Sequence, residues 1–131
     1  MTPRFTPVTT PNAPAPLPQF SAAVTYNGLV YCSGNIGIKP GQGLVVVEGT
    51  VKDRAIQALS NIKNILEAAG SSIENVIKMN IYLTNMDNFT LLNEAYDMFF
   101  TQDIKPARTC VAVYQLPLGT DVEIECTAYL N

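Results

Sequence analysis

One hundred and thirty-one residues make one domain of ordinary size and leave no room for two. The chain is 47% hydrophobic and only 15% charged, enough to bury a core and poor enough in charge to suggest that another subunit covers part of the surface. A net charge of −3 with singly scattered Lys and Arg argues against nucleic acid as the main partner, and the absence of histidine removes His-based triads, most zinc sites and the commonest general base.

Residues 1–18, MTPRFTPVTTPNAPAPLP, are rich in proline and predict an extended arm with one short strand near Phe5. From Phe20 to Ile36 the pattern is β-like. Val24 and Tyr26 lead into Asn27-Gly28 and then the apolar run Leu29-Val30-Tyr31-Cys32, a strong hairpin signal because both turn residues tolerate positive φ. Lys39 to Gly43 reads as a surface loop, and Leu44 to Val47 as a further short strand. Thr50-x-x-Asp53 is a near capping box, and Val51, Ala55, Ala58, Leu59, Ile62, Leu66 and Ala69 recur at helical spacing up to Gly70.

Val76 to Leu83 changes to period two, with Ile77, Met79, Ile81 and Leu83 on the apolar side. Asp87 is placed as the cap of a second helix that runs to about Phe100 with Phe89, Leu92, Tyr96 and Phe99 inward. Thr109 to Val113 and Val122 to Leu130 are the last two strands. In the final one Val122, Ile124, Cys126, Ala128 and Leu130 face the helices, while Glu123, Glu125, Thr127 and Tyr129 face away. This order predicts a single α+β domain over 1–131, a mixed sheet with both helices on one face. Its polar other face is either solvated or a subunit interface.

Cys32, Cys110 and Cys126 are odd in number and lack metal-ligand spacing, so no metal is expected. No apolar run approaches the ~20 residues a membrane helix needs. The N-terminus lacks a secretory h-region and is too proline-rich for a transit helix, so a reducing cytosol is the expected compartment. The Asn88-Phe89-Thr90 triplet is accordingly not read as a glycosylation site.

Lys105-Pro106-Ala107-Arg108-Thr109-Cys110-Val111, then Leu116-Pro117, then Val122-Glu123-Ile124-Glu125 resemble the signature of the RidA/YjgF family. Tyr31-Cys32-Ser33-Gly34, Ala68-Ala69-Gly70, Val76-Ile77-Lys78 and Asn93-Glu94-Ala95-Tyr96 extend the likeness over nearly the whole chain from about Ala13. The resemblance implies a chorismate-mutase-like (YjgF-like) fold and a homotrimer with clefts between subunits. It also implies cofactor-independent hydrolysis of reactive 2-imino acids and their enamine tautomers, released by PLP enzymes, to 2-keto acids and ammonia.

That substrate carries a carboxylate beside an electrophilic C=N carbon. Arg108 supplies a planar guanidinium fork suited to the carboxylate. Glu123 matches the acidic position the family sets near the attacking water, with Glu125 on the same strand face as competitor. Burial would raise the Glu123 pKa and a nearby Arg108 would lower it.

Cys110, two residues from Arg108 on one strand, has no histidine to activate it and is expected to offer backbone groups near the reacting atoms, not a thiolate. Ser33 and Gly34 match the family's carboxylate-side serine and its close backbone approach, and Asn93 a cleft asparagine. Cys32 and Cys126 are read as core. Two positions depart from the family pattern: Phe20 stands where a tyrosine is common, and Asn35 where a glutamine is. The lost phenol implies a weaker hold on water or substrate. It motivates a second reading, a trimer that binds small carboxylates without turning them over. Ribonuclease activity, attributed to some relatives, is a third, disfavoured by the acidic balance and the missing histidine.

Overall fold

Asn27 and Gly28 both take positive φ (51° and 79°) and reverse the chain within two residues, pairing Tyr26 with Leu29. The strands they join are β2 (Ala23–Tyr26) and β3 (Leu29–Asn35), with β1 (Thr6–Val8) added antiparallel to β2. The computed structural model describes residues 4–131; the first three residues of the predicted arm lie outside that range. Among the described residues the remaining regular elements are α1 (Val51–Ala68), β4 (Val76–Leu83), α2 (Phe89–Phe99), β5 (Ala107–Ala112) and β6 (Val122–Tyr129), besides short 3-10 turns.

The described strands form one sheet in the order β1-β2-β3-β6-β4-β5. The C-terminal strand β6 is threaded into the middle, antiparallel to both β3 and β4. Only β4 and β5 run parallel, and α2 makes the crossover between them. Both helices cover one face of this mixed sheet, as the alternation of β6 requires. Val122, Ile124, Cys126 and Ala128 are buried against α1 residues Leu59, Ile62 and Leu66 and α2 residues Leu92 and Ala95.

The capping box of α1 is complete. Asp53 Oδ2 accepts from Thr50 N at 2.8 Å and Thr50 Oγ1 accepts from Lys52 N at 3.2 Å. Such a cap contributes roughly 1 kcal/mol. Gly70 (φ 85°) ends the helix in the left-handed conformation expected of it.

Three local expectations differ. Val46 makes a lone bridge with Ile38 in place of a strand over Leu44 to Val47, because Gly41 and Gly43 turn the segment with positive φ. Asp87 does not cap α2: Met86–Asn88 forms a 3-10 turn whose cap is Asn85, and Asp87 N donates to Asn85 Oδ1 at 2.9 Å. Ile77 points outward at 45% exposure while Val76 is buried, because a bulge between Val76 and Lys78 shifts the alternation. The last strands also move slightly, β5 beginning two residues early at Ala107.

An ion pair not foreseen from the sequence ties the loop after β3 to the sheet. Arg54 on α1 grips Asp121 with two hydrogen bonds (Nε–Oδ1 2.7 Å, Nη2–Oδ2 2.9 Å) and donates from Nη1 to the carbonyls of Val47 and Gly49. Gly37 crosses close under this helix; a methyl group there would sit 2.8 Å from the Arg54 backbone. Asn61, fully buried, donates to the Ile38 carbonyl at 2.8 Å. These contacts hold Ile36–Ile38, which form one wall of the cavity described next.

Candidate functional site

Strand register divides the expected site residues between the two faces of the sheet. Arg108 lies opposite Met79, a buried core residue, so its side chain emerges on the helix side. Glu123 lies opposite Tyr82, an odd number of residues further along β4, and emerges on the open side. β5 and β6 are separated by β4, which adds roughly 10 Å of lateral distance. Within one chain Arg108 and Glu123 therefore do not meet, and the expectation that Arg108 depresses the Glu123 pKa does not hold inside the subunit.

The Arg108 half is built by α2. Asn93 Oδ1 accepts from Arg108 Nη1 at 2.8 Å. The guanidinium carbon stands 4.8 Å from the Tyr96 ring centroid and 5.4 Å from that of Phe89. Residues 89, 93 and 96 recur at i, i+4, i+7, so one helix face presents an aromatic pair with an amide between them. Cation–π contact of this kind contributes about 0.5–2 kcal/mol and fixes the plane of the fork.

Among the described residues Arg108 pairs with no carboxylate. Cys110 follows on the same side of β5, and burial, opposed by Arg108, pushes its thiol pKa up, so the thiol stays neutral. The Tyr96 hydroxyl is buried with no hydrogen-bond partner among the described residues, and burial raises its pKa. Tyr96→Phe should therefore hold or raise the melting temperature and leave substrate KM unchanged; thermal unfolding and steady-state kinetics check it.

The Glu123 half lies on the open side, at the end of β3. Ser33, Gly34, Phe20 and Glu123 line one cavity of about 280 Å³, walled otherwise by apolar groups from the arm, the loop after β3 and the turn before β6. The missing side chain at Gly34 makes room for the Glu123 carboxylate, which a methyl group at the Gly34 α-carbon would displace from its present position. Ser33 Oγ donates to the Ser21 carbonyl at 2.6 Å, which leaves its lone pairs free, and Asn35 Nδ2 donates to the Ser33 carbonyl at 3.1 Å.

The two acids of β6 are told apart. Glu125 takes a short hydrogen bond from Tyr82 OH, whose pKa is pushed up to about 12 chiefly by that bond. Glu123 has no such partner among the described residues, and burial, helped by the Glu125 charge, raises its pKa above the ordinary glutamate value. A carboxylate with a raised pKa at the end of an apolar cavity can take a proton from water and return it.

Cys32 and Cys126 face each other in register and are buried in the core, as expected. The sequence pattern gives Phe89 and Tyr96 only as inner helix face; Phe89 is instead 37% exposed and lies against the Arg108 guanidinium, and the spacing of the two rings about Asn93 is the signal that points to it. The apolar walls at Leu17, Leu44 and Leu118 carried no sequence signal, because they come from three separate loops.

Fold and geometry together define an α+β domain with an arginine caged against α2 on one face of the sheet and an acid-lined cavity on the other. The sequence model of the Endoribonuclease L-PSP family, the family of YjgF and the Rid proteins, matches residues 10–130, and the chain belongs to this family. Protein HMF1 of Saccharomyces cerevisiae is 44% identical over 124 residues, covering 95% of this chain and 94% of that protein. The crystal structure of RidA from Psychrobacter sp. PAMC 21119 superposes with a TM-score of 0.88 at 40% identity, covering 94% and 98% of the two chains. That of TdcF from E. coli with bound serine also gives 0.88, at 34% identity over 95% and 98%. No helix among the described residues is long and apolar enough to cross a membrane.

Proposed function

We propose that this protein is a metal- and cofactor-independent deaminase that hydrolyses 2-imino acids to 2-keto acids and ammonia. It works as a homotrimer in a reducing, cytosolic setting, with each site formed between two subunits. One observation carries the reading: each half-site lacks what the other has. Arg108, planar, caged and without a carboxylate partner among the described residues, sits on the edge strand β5, while Glu123, Ser33 and Gly34 line a cavity with no cation among its described walls. The open sheet face, otherwise polar, exposes Tyr31, Val111 and Tyr129 at 39%, 41% and 46%, apolar groups suited to burial against a second copy. Serine bound to the related TdcF supports an amino-acid-like ligand.

In the assembled cleft Arg108 takes the substrate carboxylate in two parallel hydrogen bonds, held in plane by Asn93, Phe89 and Tyr96. Ser33 lies beside that carboxylate. Glu123 removes a proton as water oxygen bonds to the imine carbon, and the proton passes to nitrogen. Glu123 then takes the hydroxyl proton of the carbinolamine and delivers it to nitrogen, the C–N bond breaks as the C=O forms, and ammonia leaves. Cys110 contributes its backbone beside the reacting atoms. Phe20 packs against the substrate but offers no hydroxyl, so water is held by Glu123 alone.

The test couples a PLP-dependent threonine dehydratase to this protein with semicarbazide as imine trap. The protein should suppress semicarbazone formation and accelerate 2-ketobutyrate release. No suppression by a folded trimer that still binds 2-ketobutyrate would favour a carboxylate binder. RNA cleavage that tracks Glu123 and Arg108 substitutions would favour the ribonuclease reading, which rests on the family's name.

A further inference from the structure

Cys32 and Cys126 are thiols that the proposed chemistry leaves unused. They stand directly opposite each other on the antiparallel strands β3 and β6, both in the core on the helix side, and are 5% and 4% exposed. Opposed residues on antiparallel strands have their α-carbons about 4.5–5.5 Å apart, inside the span that a disulfide bridges. The two side chains lie together: the adjacent Cys32 thiol, and then burial, push the Cys126 thiol pKa up. Cys110 is no rival partner. It lies on β5 opposite Ile81, while Cys126 lies on β6 opposite Met79, so β4 runs between them and two strand spacings, roughly 10 Å, keep them apart.

The position of the pair in the ladder is a second, independent observation. It is the last regular pair of β3 with β6 before the register shifts, and the next is Asn35 with Ile124. Ser33 and Gly34 therefore share the place opposite Glu125, a bulge with two residues facing one. That bulge brings Gly34 against the Glu123 carboxylate and sets Ser33 in the cavity wall. Non-bonded heavy atoms keep roughly 3.5–4 Å between them, whereas a sulfur–sulfur bond is about 2.05 Å long. Joining the two sulfurs therefore pulls on both strands at the root of the bulge.

We infer that Cys32 and Cys126 form a reversible redox site: a hydroperoxide converts the pair to a disulfide, which displaces Ser33 and Gly34 and switches the cleft off. The Cys32 sulfur attacks the peroxide, the O–O bond breaks, water or an alcohol leaves, and a sulfenic acid remains. The Cys126 sulfur gives up its proton and bonds to Cys32, and the sulfenic hydroxyl leaves with that proton as water. The peroxide is reduced by the two electrons that the thiols lose, and a thiol reductant restores the pair by exchange. Burial makes the reaction slow, so the site responds to sustained exposure to peroxide.

The experiment treats the purified full chain with hydrogen peroxide, blocks free thiols and maps the peptides without reductant. A peptide pair joined through Cys32 and Cys126, lighter by two hydrogens than its parts, is expected. The melting temperature should rise, because the bond closes most of the chain into one loop. The kcat/KM for 2-imino acids should fall at least about tenfold, since small displacements at reacting groups are costly, and dithiothreitol should restore it. Cys126→Ala should match the reduced wild type in activity and keep that activity through the treatment; Cys32→Ala repeats the control should Cys126→Ala not fold. Absence of the joined peptide overturns the site. A joined peptide with unchanged kcat/KM overturns the switch, as does a loss that persists in Cys126→Ala, which would assign the effect to Cys110. The disulfide itself does not rest on the deaminase reading. If the reduced protein turns over no imine, its affinity for 2-ketobutyrate by calorimetry replaces kcat/KM as the quantity that oxidation should lower.

Discussion

Replacing Arg108 by alanine is expected to lower kcat/KM for 2-imino acids about a hundredfold while the protein remains a folded trimer. The size of the loss follows from removing two charge-assisted hydrogen bonds to a carboxylate in a partly desolvated cleft. Folding should survive, because Arg108 sits on edge strand β5, makes no ion pair among the described residues and is half-buried against α2. Asn93 loses its hydrogen bond, but its amide lies on a helix flank where water replaces the guanidinium. Arg108→Lys should recover only part of the loss, since an ammonium neither forks to two oxygens nor fills the space between Phe89 and Tyr96. Steady-state kinetics with size-exclusion chromatography check both. Full activity in a trimeric Arg108→Ala protein would remove Arg108 from the site.

Glu123→Gln is expected to abolish hydrolysis nearly completely and, at neutral pH, to leave the fold as stable or more so. Burial and the Glu125 charge raise the Glu123 pKa in the folded chain. A carboxyl whose folded pKa exceeds its unfolded value binds its proton more tightly when folded. Its contribution to stability is present below the unfolded pKa and is lost as pH rises through the folded one. Ionised Glu123 at neutral pH is therefore a cost to the fold, and a neutral amide of the same shape removes it.

Catalysis has the opposite dependence. The base form exists above the folded pKa, so kcat/KM should fall on the acid side, with a midpoint above that of an ordinary glutamate. The acid limb should be missing from the residual activity of Glu123→Gln. A melting temperature that drops in the variant would show that ionised Glu123 is no cost to the fold, and an acid limb that persists would show that another group sets the pH profile. Glu125 is poorly placed for that role because Tyr82 occupies it.

Helix α1 and the central strands were legible because their determinants are local. Thr50 and Asp53 are three residues apart, Asn27-Gly28 forms its own turn, and the alternation along β6 fixes which side meets the helices whatever lies beside it. The failures were also physical. A bulge at Val76/Lys78 costs no sequence signature and inverted Ile77, and the turn at Met86–Asn88 took the capping role from Asp87 for Asn85.

The same division holds for the candidate site. Sequence alone singled out Arg108, Glu123, Cys110, Ser33, Gly34, Phe20 and Asn93, since a motif lists residue types in order. It placed Arg108 and Cys110 on one side of a strand through the two-residue period. It could not place Arg108 relative to Glu123, because that relation depends on how β6 enters the sheet between β3 and β4 and on the register of each pair. Tertiary structure put the two on opposite faces, turned Glu125 toward Tyr82 and left Glu123 beside Gly34. It also brought Leu17, Leu44 and Leu118 round one cavity from loops far apart in the chain. Chemistry is carried by side chains the sequence names, whereas proximity is produced by long-range pairing that no local pattern encodes.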